Sequence, residues 1–303
     1  MKYFNVFDSK SELDLSVSLI NHGDGAYVFE VKQTKGIEDV SIYGHRHQNA
    51  NCVMLGSVNM APVKLDSSST KKTPAVADVL YSTADGKLTL DAQTNNVDNT
   101  PIAICVIPEV TENFKNGDDS AGAIKTARFV SLNYMNYTTP TTGNKDNQYM
   151  YFGNYGTTIG NVKGGTDKTS YIGGKWNTQQ CLSKVTNKDV ICDGVANNSG
   201  KGYCAPVCCC VVYSTPGTKS GDWYLPSIGE LYQIYANKVA INEKRTAIKG
   251  SGFLDHSYWS SREDSSGIEC YVYLDYGNVG SYYGKNNDCY VLGFLALEVP
   301  AEK

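Results

Sequence analysis

Between Tyr258 and Leu297 two kinds of position interleave so closely that few backbone conformations satisfy both. In Tyr271-Val272-Tyr273-Leu274 the apolar period is two, so the segment reads as a strand with Val272 and Leu274 turned to the core and Tyr271 and Tyr273 sharing an exposed face. Val272, Leu274, Gly277, Val279, Lys285 and Val291 read as a strand-and-turn scaffold. Tyr271, Tyr273, Asp275, Tyr276, Gly280, Ser281, Tyr282, Tyr283, Gly284, Asp288 and Cys289 sit between them. Every member of the second set is reachable from an asparagine codon, AAC or AAT, by changing adenines alone, and Asn278, Asn286 and Asn287 would be unchanged. That is the footprint of adenine-directed mutagenesis. The same residue types also suit a β-rich surface with many loops, where Gly and Asn supply positive φ and Tyr suits half-buried strands. They match equally the logic of an antibody paratope, in which Tyr gives rigid contact area and Ser, Gly and Asn give adaptable hydrogen bonds.

The rest of the chain bounds what could carry such a face. With 303 residues, 41% of them hydrophobic, it can bury a substantial core and is long enough for two domains. Glycine (29) and tyrosine (22) are abundant while helical periodicities are few, which points to an α+β, β-rich fold with long loops. A net charge of −4 leaves no basic footprint, so nucleic acid is not an expected partner. No apolar run reaches transmembrane length, and membrane insertion is not expected. Residues Met1 to Asp8 show no apolar h-region or small-residue cleavage site, so no secretory signal is read there.

Along the chain, Ser9 to Glu12 has capping-box spacing ahead of Leu13, Leu15, Val17 and Leu19, a pattern that fits a short helix or a strand. Apolar runs at Ala26–Val31 and Cys52–Leu55, then Lys87–Asp91 after an Asp85-Gly86 turn, read as a small N-terminal β domain. The polar stretch Asp91 to Thr100 is the expected boundary, giving domains of 1–100 and 101–303. New buried strands are expected at Pro101–Ile107 and Ala127–Leu132. From about Asn136 to Gly202 the chain is rich in Gly, Asn, Thr and Lys with little periodicity, a long loop-rich insertion. Cys204 to Tyr213, with Cys208, Cys209 and Cys210 adjacent, reads as a buried apolar strand in which free cysteine packs as a small hydrophobe. No histidine lies nearby and no paired C-x-x-C completes a tetrahedral set, so no metal site is expected there. His45 and His47 read as part of a surface strand or turn.

A second signature is GDWYLPSIGEL, Gly221 to Leu231, with Ile234 and Val239 following at helical spacing. Trp223 and Leu225 read as a strand, Pro226 and Ser227 as a helix start, and Glu230 as the reciprocal partner of a Ser227 cap. Ser257 to Ser261 then opens the terminal sheet. Together, GDWYLP, YWSS and the Gly-rich hairpin set resemble the C-type lectin fold of bacterial and phage proteins. The terminal portion is similar to receptor-binding tail proteins of gut Bacteroidales phages. The interleaved segment resembles the variable region of diversity-generating retroelement targets, in which a reverse transcriptase copies a template repeat into the gene with errors at adenines. The resemblance covers roughly Pro101 to Leu297, with its specific motifs in Gly221 to Leu297.

The resemblance implies a phage tail or fibre protein whose C-terminal face binds a host surface protein or glycan. It implies contact positions at Asp264, Ser265, Ser266, Tyr271, Tyr273, Asp275, Tyr276, Gly280, Ser281, Tyr282, Tyr283, Gly284, Asn286, Asn287, Asp288 and Cys289, with the tyrosines as anchors. The N-terminal domain would mount it on other tail proteins, display would be oligomeric, as a homotrimer, and the location would be the virion, assembled in the bacterial cytoplasm. A surface adhesin on the same fold is the alternative, and a formylglycine-generating-type or hydrolytic enzyme a lesser one. Animal lectins hold sugar through calcium at a Trp-Asn-Asp triplet; here Ser260 and Ser261 follow Trp259, so calcium-dependent binding is not expected. Neither a formylglycine-generating-type cysteine site nor a hydrolytic set is legible, because no base is positioned near Cys270 or Cys289 and His22, His45, His47 and His256 form no nucleophile set. No enzyme activity and no cofactor are expected.

Overall fold

A computed structural model describes residues 15–21, 27–33, 40–42, 58–114, 117, 120–135, 149–160, 162, 172–186, 204–249 and 251–299. The chain divides into two compact units, Met1–Cys52 and Val53–Lys303. In the first, β1 (Leu15–Asn21), β2 (Tyr27–Gln33) and β3 (Val40–Ile42) form an antiparallel sheet in that order, with Leu19 opposite Phe29 and Phe29 opposite Ile42. The segment open to either reading is thus a strand from Leu15 onward. Ser9–Glu12, His22, His45, His47 and Cys52–Leu55 lie outside the described residues.

The second unit begins with β4 (Val79–Ser82) and β5 (Leu88–Thr89), joined by the expected Asp85-Gly86 turn: Gly86 takes φ +77° and Thr83 N donates to Lys87 O at 2.8 Å. A two-stranded ribbon, β6 (Gln93–Thr94) with β7 (Val97–Asp98), leads into the long hairpin of β8 (Thr100–Glu112) and β9 (Ile124–Tyr134). β4 pairs with β8, Val79 opposite Ile104, so the polar stretch Asp91–Thr100 is a connection inside one sheet and the partition of the chain falls at Cys52/Val53 instead. Polar composition marks a surface turn as readily as a linker.

The remaining elements are β10 (Tyr149–Tyr151), α1 (Gly174–Leu182), α2 (Ala205–Val212), β11 (Trp223–Tyr224), α3 (Ile228–Ala236), α4 (Lys238–Lys249), β12 (Ser257–Ser265), β13 (Ile268–Tyr273), β14 (Asn278–Gly284), β15 (Asp288–Tyr290) and β16 (Leu292–Glu298). The expected loop insertion therefore contains a strand and a helix. The cysteine run is helical, not extended: α2 has Pro206 in its first turn, and Cys208 N donates to Cys204 O at 3.0 Å. A helix apolar on every side belongs in the interior, and periodicity cannot separate it from a buried strand. Burial pushes these thiols up, Cys209 to about 12, so they pack as inert small hydrophobes. Among the described residues no helix is long and apolar enough to cross a membrane.

Two sheets organise the β-rich α+β unit. One has the order β11-β16-β9-β8-β4-β5, the other β10-β15-β12-β13-β14. Alternation along the strands buries both faces of the first: Phe129, Trp223 and Leu295 point to one core, and Val130, Tyr224 and Phe294 to another. That second core also takes Ile228, Leu231 and Ile234 of α3, Ile241 of α4, Tyr258, Val272 and Tyr290 of the five-stranded sheet, and Leu274 just past β13. The opposite face of the five-stranded sheet carries Trp259, Tyr271 and Cys289 into a third core with Phe152 and α2.

The strand-to-helix junction forms as its sequence requires. Ser227 N donates to Glu230 Oε2 at 2.8 Å while Ser227 Oγ accepts from Glu230 N, a closed capping box at the start of α3. Glu230 is fully buried, and its other oxygen accepts from Arg128 Nε at 3.0 Å and Tyr224 Oη at 2.7 Å. Arg128 in turn donates to Glu112 and Thr126, so one guanidinium bridges two carboxylates inside the core.

Candidate functional site

The hairpin β13–β14 and the turns at its two ends hold most of the residues singled out in the sequence. Register places Glu269 opposite Tyr283, Tyr271 opposite Gly280, Val272 opposite Val279 and Tyr273 opposite Asn278, with an irregularity between the first two pairs. The period of two is real, and Val272 and Leu274 are core residues. The other face is only partly open. Tyr271 is fully buried and Tyr273 half-buried, because the layer containing α1, α2 and Phe152 covers the inner half of that face. The sequence expectation of an exposed Tyr271 is corrected accordingly.

Four tyrosines gather there. The Tyr271 ring stacks on Tyr283 at 4.1 Å and 21°, and meets Tyr282 and Tyr273 edge-on at 5.5 and 5.3 Å. Tyr273 and Tyr283 share a hydroxyl–hydroxyl hydrogen bond of 2.7 Å, and this bond, followed by burial, pushes the Tyr283 phenol up to about 12. Below, Trp259 meets Tyr271 edge-on at 6.3 Å and donates Nε1–H to Met150 O at 2.7 Å. Burial, then the approach of the Tyr282 hydroxyl, raises the Tyr271 phenol, whose oxygen makes no well-formed hydrogen bond. Tyr282 itself is 67% exposed and caps the cluster toward solvent.

At one end of the hairpin the β12–β13 turn and the β14–β15 turn lie side by side. Lys285 N donates to Gly267 O at 2.9 Å and Asn287 N to Gly284 O at 2.8 Å. This brings Asp264, Ser265 and Ser266 near Gly284, Asn286, Asn287 and Asp288, all exposed or half-buried. At the other end, Asp275 and the 70% exposed Tyr276 form the β13–β14 turn, where Gly277 takes φ +64° and packs against the Tyr235 ring. The two ends are separated by the length of β13, about 17 Å at roughly 3.3 Å per residue, so the predicted residues form a strip and not a single pocket. Ser281 is half-buried on β14. Cys289 does not belong to the strip: it is fully buried opposite Met150, and burial raises its thiol well above the ordinary range.

Three features were missed in the sequence. Tyr155, 49% exposed, lies against Gly267, on a loop tied to the hairpin by Gly156 N to Ser266 O at 2.9 Å and Gly153 N to Lys285 O at 3.1 Å. Beneath that loop Lys285 is ion-paired with Glu263, both buried; Glu263 also accepts from Ile159 N at 2.9 Å, and Lys285 donates to Thr157 O at 3.1 Å. Glu269, cross-strand from Glu263, is fully buried with neither carboxyl oxygen hydrogen-bonded. Burial, reinforced by Glu263 and opposed by Lys285, raises its pKa well above the ordinary value. The available signal was parity: Glu269 shares its face with Tyr271 and Tyr273. Ser260 and Ser261 are buried, Ser260 donating to Cys270 O at 2.9 Å, so neither reaches the surface strip.

No protein-family model matches the chain, and no curated protein matches it. Among solved structures it is similar to a fimbrial protein from Bacteroides ovatus, at a TM-score of 0.45 and 18% identity over 73% of this chain. The match covers 48% of that protein, so the chain spans about half its length.

Proposed function

We propose that this chain is a surface-recognition protein without enzymatic activity, whose C-type-lectin-like terminal sheet displays diversified contact positions to a protein or glycan on a cell surface. The observation that carries this reading is the division of labour in the hairpin. Val272 and Leu274 are locked in the core, whereas Tyr276, Tyr282, Asp264, Ser265, Asn286, Asn287 and Asp288 are exposed on turns and on the edge strand. Exposed positions of this kind exchange side chains within about ±0.5 kcal/mol, so adenine-directed substitution there would change the surface and spare the fold. Tyr282 and Tyr276 offer large rings of low conformational entropy, flanked by amide and carboxylate groups that suit hydroxyl or backbone partners. No cofactor is needed for this chemistry.

Two carriers fit the recognition face, a bacterial surface adhesin and a phage tail or fibre, the latter with the N-terminal unit as its mount and a homotrimer as the display form. Labelled antibody against the chain distinguishes them by decorating either whole cells or purified virions. The recognition reading is tested in the gene: alignment of the segment encoding residues 264–289 with a template repeat should confine mismatches to template adenines. Mismatches spread over all four bases would remove the diversification, and Tyr282→Ala with undiminished attachment would remove the contact role.

A further inference from the structure

We propose that residues 271 and 280 act as one recognition unit, in which the side chain at 280 decides whether the ring at 271 lies inside the sheet beneath Tyr283 or swings out to meet a ligand. This deepens the reading of the face as a diversified binding surface, and rests on it, by naming the position that controls its shape.

Tyr271 and Gly280 are direct cross-strand partners. Because residue 280 has no side chain, the Tyr271 ring lies over the β14 backbone, and a Cβ placed at 280 would overlap its Cζ and Oη atoms. The turn glycine Gly277 is required by its backbone, at φ +64°, but Gly280 has no such requirement, since its φ lies outside the left-handed region. Glycine at 280 therefore serves the ring. Every other residue reachable there by adenine substitution, from Ala and Ser to Asn, Asp, Tyr and Arg, brings a Cβ into the space the ring occupies.

The inward ring is also poised. Its hydroxyl is buried with no well-formed hydrogen bond, only the approach of the Tyr282 hydroxyl, an arrangement that folded proteins ordinarily avoid. What holds it is chiefly aromatic contact, the stack on Tyr283 and the edges of Trp259, Tyr273 and Tyr282, with the Tyr282 hydroxyl as its polar neighbour. Turning outward would hydrate the hydroxyl and give up the stack, so two side-chain states oppose each other and a single Cβ excludes one of them. Losing the stack frees Tyr283, and with it the Tyr273–Tyr283 hydrogen bond. One substitution at 280 thus rearranges the whole tyrosine cluster. It follows that 271 and 280 do not vary independently: a buried aromatic at 271 requires glycine at 280.

The test uses tetranitromethane nitration with peptide mapping on the full chain. In the native protein Tyr276 and Tyr282 are expected to react and Tyr271 to be protected; in Gly280→Ala, Tyr271 should lose its protection and react at a rate comparable with Tyr282. A folded Gly280→Ala protein with Tyr271 still protected overturns the proposal. Because Gly280→Ala could instead unfold the unit, a thermal double-mutant cycle accompanies it. The fall in melting midpoint caused by Gly280→Ala should vanish in a Tyr271→Ser background, and an equal fall in both backgrounds overturns the coupling. Neither measurement involves a ligand, so failure here is separate from failure of the recognition reading, which the template alignment and attachment assays decide.

Discussion

On one face of the five-stranded sheet, Tyr258, Val272 and Tyr290, with Leu274 just past β13, meet α3, α4 and the six-stranded sheet; on the other, Trp259, Glu269, Tyr271 and Cys289 meet α1, α2 and Phe152. Both are buried, yet they differ in how their polar groups are treated. Next to the first face, Arg128 gives each of its nitrogens a partner among Glu230, Thr126 and Glu112, and Tyr258 donates its hydroxyl to Leu254 O at 3.0 Å. On the second face the Glu269 carboxyl and the Tyr271 hydroxyl are left without well-formed hydrogen bonds, beside a single lysine already engaged by Glu263. The closed face defines the fold. The face under the candidate contact residues keeps polar groups in reserve, where small changes have large local effects.

The largest test of this contrast asks whether the second face is core at all. Trp259→Ala should cost about 3–5 kcal/mol by urea denaturation, close to the about 2–5 kcal/mol expected for Leu274→Ala on the first face. A near-neutral Trp259→Ala would demote the second face to a surface. Lys285→Met should come next, since it leaves Glu263 buried without its cation, a loss of roughly 3 kcal/mol or more, partly recovered when Glu263→Gln is added.

Glu269 supplies a pH test. Unfolded, it titrates near 4.5, and folded, burial holds it higher. Between the two values the native state keeps a proton that the unfolded state has lost, so this group's contribution to stability falls as pH rises from about 4.5 through the folded pKa. Glu269→Gln should flatten that decline in a series of melting midpoints against pH. An unchanged slope would assign the effect to another raised carboxyl, such as Glu230. The smallest effects belong to the exposed strip: Tyr276→Ser and Tyr282→Ala should each leave stability within about 0.5 kcal/mol, and a larger loss would make these rings packing residues.

What could be read from the sequence was what is locally determined. The capping box of Ser227 and Glu230, the Asp85-Gly86 turn and the period of two at Tyr271–Leu274 each arise from contacts within a few residues, and all are present. The helical form of α2 was not legible because a short apolar run looks alike in either conformation when every side is buried. The burial of Tyr271 was missed for a different reason. Alternation tells which residues share a face but not what covers it, and the cover comes from Phe152 and α2, far away in the chain. The same holds for Glu263 and Lys285, whose pairing brings together two turns and a loop more than 100 residues distant.

The position of β16 in its sheet has a consequence for how the molecule is made. It lies between β11 and β9, with Trp223 opposite Leu295 and Phe129 opposite Leu295 on its other side, although it follows the β13–β14 hairpin and its turns in the chain. The six-stranded sheet therefore cannot close until the ribosome has delivered the residues beyond Leu292, and the contacts that complete it span long stretches of sequence, which slows folding. Until then the edges of β9 and β11 stand open. A variant whose hairpin misfolds withholds β16 from its place as well, so a fault in the hairpin becomes a fault in the six-stranded sheet.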